Sequence, residues 1–263
     1  MKTEDMLGLA IPVTYLAMLA IERAVEARGG GRRFAPIAWW RVKGGLFVSV
    51  LLAINAVLPS LVPASLARHH LLDLSGVGSL GGAAVTYLAV SLASYGFHRA
   101  EHRVGFLWRH LHQLHHAPVR MDLSGAAYTN PLEVVTTAAI FVTVSTFVLG
   151  VTPVAAALAG YVGAFYSMFQ HLNVDTPPWL GYVIERPESH CVHHARDAHH
   201  HNYSDLPLWD ILFGTFANPA RFEGEVGFER SASRRTGAML LGVDVQTPET
   251  TRALLRPLAE VSA

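Results

Sequence analysis

Apolar residues in this chain gather into long runs rather than into the spaced stripe of a surface helix. Five runs, residues 6–21, 45–62, 81–97, 132–151 and 153–170, hold a single charged residue between them, Glu133. A bilayer core of roughly 30 Å needs about 17 to 25 helical residues to cross it, so all five are read as membrane spans, the first being the shortest. An all-α integral membrane bundle of four to five spans follows, because a helix satisfies its own backbone polar groups inside hydrocarbon. A cleaved signal peptide is the alternative for residues 6–21. Glu4 and Asp5 stand where such a peptide carries basic residues.

Polar positions between the runs set the expected orientation. Arg23, Arg28, Arg32, Arg33, Arg41 and Lys43 lie between the first two runs, which assigns that loop to the cytoplasm. Tracing onward, the third run ends inside at His98, and the fourth and fifth form a hairpin that ends inside at His171. This topology keeps 18 of the 20 Lys and Arg inside, with Lys2 and Arg68 outside. Trp39 and Trp40 then flank the start of the second span as an interfacial anchor. No repeat or long linker divides the chain. It is read as membrane helices and a basic loop (1–80), a catalytic region (81–218) and a polar cytoplasmic tail (219–263) that carries Arg221, Arg230, Arg234, Arg235, Arg252 and Arg256.

Composition sharpens this picture. Only 15% of residues are charged and 51% are apolar, with positive mean hydropathy. Basic and acidic residues balance at 20 each, so there is no bulk field to attract nucleic acid. Cys191 is the sole cysteine, which rules out an internal disulfide. Histidine is the anomaly, at 15 residues.

Their spacing carries the chemistry. His98 and His102 are four apart at the inner end of the third run, and residues four apart share a helix face. His112, His115 and His116 form a second box, and His190, His193 and His194 repeat it; His171 stands between. One such pair is more often surface or hydrogen-bonded core than a ligand pair. Three sets brought to one membrane face by an independent topological argument point instead to metal. Eight or nine imidazoles exceed what one ion uses, so two ions are implied. Affinity alone favours copper or zinc over ferrous iron. Oxidation of an apolar substrate's C–H bonds, in contrast, calls for iron and oxygen.

These boxes, together with the run from Phe106 to His116, Tyr128–Glu133, Gln170–Asn173 and the stretch from His190 through Asn202, Tyr203, Trp209 and Asp210 to Phe216, resemble the fatty acid hydroxylase superfamily, which includes sterol desaturases and alkylglycerol monooxygenase. The likeness covers residues 87–218. It implies a cytoplasmic, helical, histidine-rich di-iron cap, with His98, His102, His112, His115, His116, His190, His193 and His194 as iron ligands and His171 as a ninth. It further implies O2 as co-substrate and hydroxylation or desaturation of a lipid alkyl group, be it fatty acyl, sterol or hopanoid, ether lipid or carotenoid. The chain departs from the pattern at His199, His200 and His201, which read as a solvated loop.

Glu101, Asp122, Asp197 and Asp210 are candidates to orient the imidazoles. Asn173 is a candidate to hold a metal-bound water, and His110 to stand behind the ligands. His69 and His70 fall on the outer side and are excluded. No flavin, dinucleotide or iron–sulfur motif is visible, so a separate cytoplasmic reductase, ferredoxin or cytochrome is expected to supply electrons. The absence of an appended haem domain suggests a bacterial inner membrane. Three other readings stay open: a zinc-bound hydrolase, an inactive scaffold of the same fold, and a metal transporter, against which the lack of charge at mid-span counts.

Overall fold

The computed structural model describes residues 1–196 and 200–246. Helices dominate, and among the described residues the only β pairing is an isolated bridge between Ala195 and Val226. The long helices are α1 (Thr3–Ala27), α2 (Trp40–Val57), α3 (Ser79–Glu101), α4 (Pro131–Val142) and α5 (Pro153–Gln170). A 3-10 turn at Leu58–Leu61 extends α2, and a π turn at Thr143–Val148 extends α4. With these extensions, α1, α2, α3 and α4 are long and apolar enough to cross a membrane.

α1 runs further than the apolar pattern alone indicates. It continues through Glu22, which is buried because its carboxylate accepts the backbone N–H groups of Leu123 and Asn173 at 2.9 and 2.8 Å. α5, expected as a fifth span, is a full helix of 18 residues, but Tyr161, Tyr166, Ser167 and Gln170 dilute its apolar character. It packs between α1 and α3. Small residues allow this: Ala155 and Ala159 are buried, and a side chain at Gly82 of α3 would collide with Ala155.

Prolines mark where helices begin. Pro131 and Pro153 occupy first-turn positions of α4 and α5, where a missing N–H costs nothing, and the preceding residues cap the same ends. Asn130 Oδ1 accepts from Leu132 N at 3.0 Å, and Thr152 Oγ1 accepts from Ala155 N at 3.3 Å. Pro187 and Pro207 likewise open α6 (Pro187–His193) and α7 (Pro207–Phe213).

The bundle has two unlike ends. At one, the turn between α4 and α5 is tied to residues 71–74 by three backbone bonds, and the His70 ring lies against Gly150. His69 and His70 are therefore remote from the other histidines, in agreement with their exclusion. At the opposite end the C-termini of α1, α3 and α5 meet the N-termini of α2 and α4 beneath a cap built from residues 102–130, 171–196 and 200–246. Leu114, Ala117, Tyr128, Phe228, Met239 and Val245 pack there with Trp40 of α2. Residues 228–245, which belong to the segment read as a polar tail, are packed into the cap. Their anchor is the fully buried Gln113, whose amide donates to Val243 O at 2.8 Å and accepts from Val245 N at 2.9 Å. Asp197, His199, Arg252 and Arg256 lie outside the described residues.

Candidate metal centre

Four separate elements deliver imidazoles to one point under the cap. His98 closes α3 and His102 caps it, His171 caps α5, and His190 and His193 ride on α6 with His194 as its cap. The second box follows a π turn at Trp108–His112, in which Gln113 N bonds to Trp108 O at 2.7 Å.

All nine expected histidines fall into two groups. His98, His102, His112, His116 and His193 form one, and His115, His171, His190 and His194 the other; within each group the ligating atoms lie within 4.8 Å of one another. The two HxxHH boxes divide reciprocally between these groups. Each sends its residues four apart to one group and its middle histidine to the other: His112 and His116 against His115, and His190 and His194 against His193. Helical geometry explains the split, since residue i+4 is turned about 40° from residue i while i+3 is turned about 100° from i+4. The two groups stand back to back, with the rings of His116 and His194 stacked at 4.2 Å.

The nitrogen positions test whether a cation fits. A carbonyl oxygen can only accept, so His98 Nδ1 donates to Tyr203 O (2.7 Å), His171 Nδ1 to Ser167 O (2.7 Å) and His193 Nδ1 to His201 O (2.8 Å). His112 Nδ1 donates to Glu133 Oε1 at 2.7 Å. In a neutral imidazole each such bond leaves the lone pair on Nε2. Those Nε2 atoms converge: His98 and His112 approach to 2.8 Å, His112 and His116 to 2.9 Å, His98 and His102 to 3.3 Å. In the second group His171 lies 3.3 Å from His115 and 3.1 Å from His190, which is 3.2 Å from His194. Two donors about 2.1 Å from one ion and at right angles stand about 3.0 Å apart. Lone pairs facing one another at that distance repel unless a cation lies between them, so the donor set fits one ion per group.

Burial keeps these rings neutral and ready to ligate. It pushes His171 down to about 4. His112, His115, His190, His193 and His194 are held well below the ordinary imidazole range, first by burial and then by the repulsion of neighbouring imidazoles. Trp108 and Tyr203 wall the first group, their rings 5.2 and 5.4 Å from that of His102.

The supporting residues differ from those expected. Glu133 holds His112 and itself accepts the Thr129 hydroxyl. In the sequence it stands within the Tyr128–Glu133 motif, and a lone carboxylate at the histidine end of an otherwise uncharged span is a legible signal. Glu101 is buried, with Oε2 3.9 Å from His112 Nδ1. Asp210 acts at one remove: it accepts from Tyr203 N (2.9 Å), Ser204 N (3.0 Å) and Thr215 Oγ1 (2.6 Å), and so fixes the loop whose carbonyl orients His98. Asn202, in a left-handed conformation at φ 55°, pins the same loop to Ser189 and Ala217.

Three expected roles are corrected. Asp122 faces away from the histidines and binds Trp40 Nε1 at 2.8 Å together with Arg120. The side chain of Asn173 is consumed by Arg32, accepting from its N–H at 2.8 Å and donating to its carbonyl at 2.9 Å. His110 points outward, stacked on Phe106 at 4.3 Å. His200 and His201 are exposed, and His201 contributes to the site only through its carbonyl.

Comparison with known proteins agrees with this geometry. A family profile for fatty acid hydroxylase matches residues 83–215. Human alkylglycerol monooxygenase is 31% identical over 135 residues, 49% of this chain and 29% of that protein. Very-long-chain aldehyde decarbonylase GL1-9 of Oryza sativa subsp. indica is 29% identical over 139 residues, 50% of this chain and 52% of that protein. Ornithine lipid hydroxylase OlsE of Rhizobium tropici is 31% identical over 142 residues, 51% of this chain and 42% of that protein. The match thus spans about half of this chain and between roughly a third and a half of each relative. No solved structure matches.

Proposed function

Because the chain belongs to the fatty acid hydroxylase family, we propose that it is a membrane-bound non-haem di-iron oxidoreductase that uses O2 and two external electrons to hydroxylate or desaturate an alkyl C–H of a lipid. The observation that carries this reading is the convergence of nine histidines in two groups, Nε2 to Nε2, at one end of a bundle of membrane-spanning length. His98, His102, His112, His116 and His193 would hold one iron, and His115, His171, His190 and His194 the other. Iron bound there supplies the redox capacity to activate oxygen, which no side chain of this chain can do alone.

The protein's own part is orientation and exclusion. Carbonyls of Ser167, Tyr203 and His201 and the carboxylate of Glu133 keep the lone pair of each partner imidazole on Nε2, which fixes ring direction. The cap keeps bulk water away, as a reactive oxidant requires. Apolar side chains exposed along the spans, Leu88 and Leu92 of α3 among them, face acyl chains. Relatives named for alkylglycerol, aldehyde and ornithine-lipid chemistry share the matched region, so the substrate is taken as a lipid: fatty acyl, sterol or hopanoid, ether lipid or carotenoid. The histidine end is assigned to the cytoplasmic face of a bacterial inner membrane, where a separate reductase, ferredoxin or cytochrome delivers the electrons.

Metal content and oxygen dependence test this together. Protein purified in mild detergent should hold close to two irons per chain, lose them in a His193→Ala, His194→Ala variant, and consume oxygen only with reductant and added lipid. Zinc alone, with no oxygen uptake after reconstitution with ferrous iron, would replace this reading with the hydrolase or scaffold.

A further inference from the structure

Outside the histidine site, the cap carries a cleft of about 430 Å³ between the α1–α2 loop and residues 222–230. Four arginines, Arg32, Arg33, Arg196 and Arg230, line it against two glutamates, Glu223 and Glu225. Arg196 is already engaged: Nη1 pairs with Glu225 at 2.5 Å, while its other N–H groups donate to the carbonyls of Gly227 and Phe228. Among the described residues neither Arg33 nor Arg230 meets an acid. The cleft therefore carries uncompensated positive charge.

Arg32 is set in place by a built scaffold. The Asn173 side chain binds both its backbone N–H and its carbonyl, and Nη2 donates to Leu172 O at 3.1 Å. Gly31, at φ +75°, lets the chain pass so close that a side chain there would strike the Asn173 carbonyl. Two groups of the guanidinium, Nε and Nη1, are buried and have no partner. A buried donor without an acceptor costs about 1–3 kcal/mol, and Arg32 is among the residues that line the cleft.

A neighbouring cleft links this one to the start of a membrane-length helix. Both are lined by Phe34, and the second reaches Trp39, Trp40, Arg41 and Val42 at the start of α2, a membrane-length helix. Trp39 is 76% exposed there, the position of an interfacial anchor at the level of lipid headgroups. We propose that the arginine cleft is a binding site for the phosphate group of an anionic phospholipid, held by Arg32, Arg33 and Arg230, with the lipid's acyl chains descending along α2. The site is separate from the histidine centre and does not depend on the reaction proposed for it.

The full-length protein in mild detergent tests this by native mass spectrometry with added phosphatidylglycerol or phosphatidylcholine, and by titration with inorganic phosphate. The wild type should retain phosphatidylglycerol and not phosphatidylcholine. Each basic residue near a membrane surface contributes on the order of 1 kcal/mol, and about 1.4 kcal/mol is tenfold in affinity, so an Arg33→Ala, Arg230→Ala variant should bind phosphatidylglycerol about thirtyfold more weakly. Both residues are exposed, and unchanged metal content and melting temperature verify the fold; the single Arg33→Glu variant provides a second reading. Equal retention of phosphatidylglycerol by wild type and variants overturns the site. Arginine-dependent binding of inorganic phosphate without arginine-dependent retention of phosphatidylglycerol overturns the lipid as its source.

Discussion

His112 shows how far a single residue's role depends on its partners. One nitrogen points to the imidazoles of His98 and His116 and the opposite nitrogen is held by Glu133, so removing the carboxylate frees the ring to turn. Glu133→Ala should weaken metal retention by about 10- to 100-fold in chelator competition. Asp122→Asn, which loosens the Trp40 tie instead, should leave metal retention near wild type. The buried rings also set a pH dependence. His171 titrates near 4 in the folded protein against 6.5 in an open chain, so between these values the unfolded state binds a proton that the folded state refuses. The stability of the metal-free protein then falls as pH falls from about 6.5 to 4, by about 1.4 kcal/mol per pH unit for this histidine alone. The other buried imidazoles act in the same direction. Melting temperatures of the apoprotein that stay flat from pH 7 to pH 5 would contradict this.

At the level of elements, the histidine boxes are short and poorly regular, and long-range ties hold them. The π turn at Trp108–His112 ends at Gln113, and the amide of Gln113 is clamped between Val243 and Val245. A Gln113→Leu substitution removes both bonds from a fully buried position, and should cost about 2–4 kcal/mol. It should also expose residues 228–246 to limited proteolysis, because Phe228, Met239 and Val245 share the core that this clamp closes. Intact resistance to protease at wild-type melting temperature would show that the clamp is dispensable. Helix starts behave differently: Asn130–Pro131 and Thr152–Pro153 are local devices and need no distant partner.

For the whole molecule, the unlike ends of the bundle make orientation measurable. Cys191 is fully buried and burial pushes its thiol up to about 12, so it should be silent toward maleimides at neutral pH. Cysteines introduced singly at Arg33 and Arg68 can then be read on the otherwise native chain. In oriented membrane vesicles with the cytoplasmic face inward, Arg68→Cys should react with an impermeant reagent and Arg33→Cys only after the membrane is opened. The reverse pattern would invert the topology and move the proposed donor to the other side.

Much of the fold and the site was legible in the sequence. Uncharged runs of membrane length, proline at helix starts and histidines three and four apart are local statements, because hydropathy, a missing N–H and helical periodicity act over a few residues. Eight of the histidines could be singled out for this reason, and His171 by its place at the end of the fifth run. What joins them could not. The choice of Glu133 over Asp122, the loss of Asn173 to Arg32 and the packing of residues 228–245 into the cap all depend on which carbonyl or carboxylate lies within about 3 Å of a given nitrogen. Those partners come from 21 to 141 residues away, as with Glu133 for His112 and Arg32 for Asn173. No periodicity encodes such distances; only the packing of α3, α4, α5 and the cap against one another decides them.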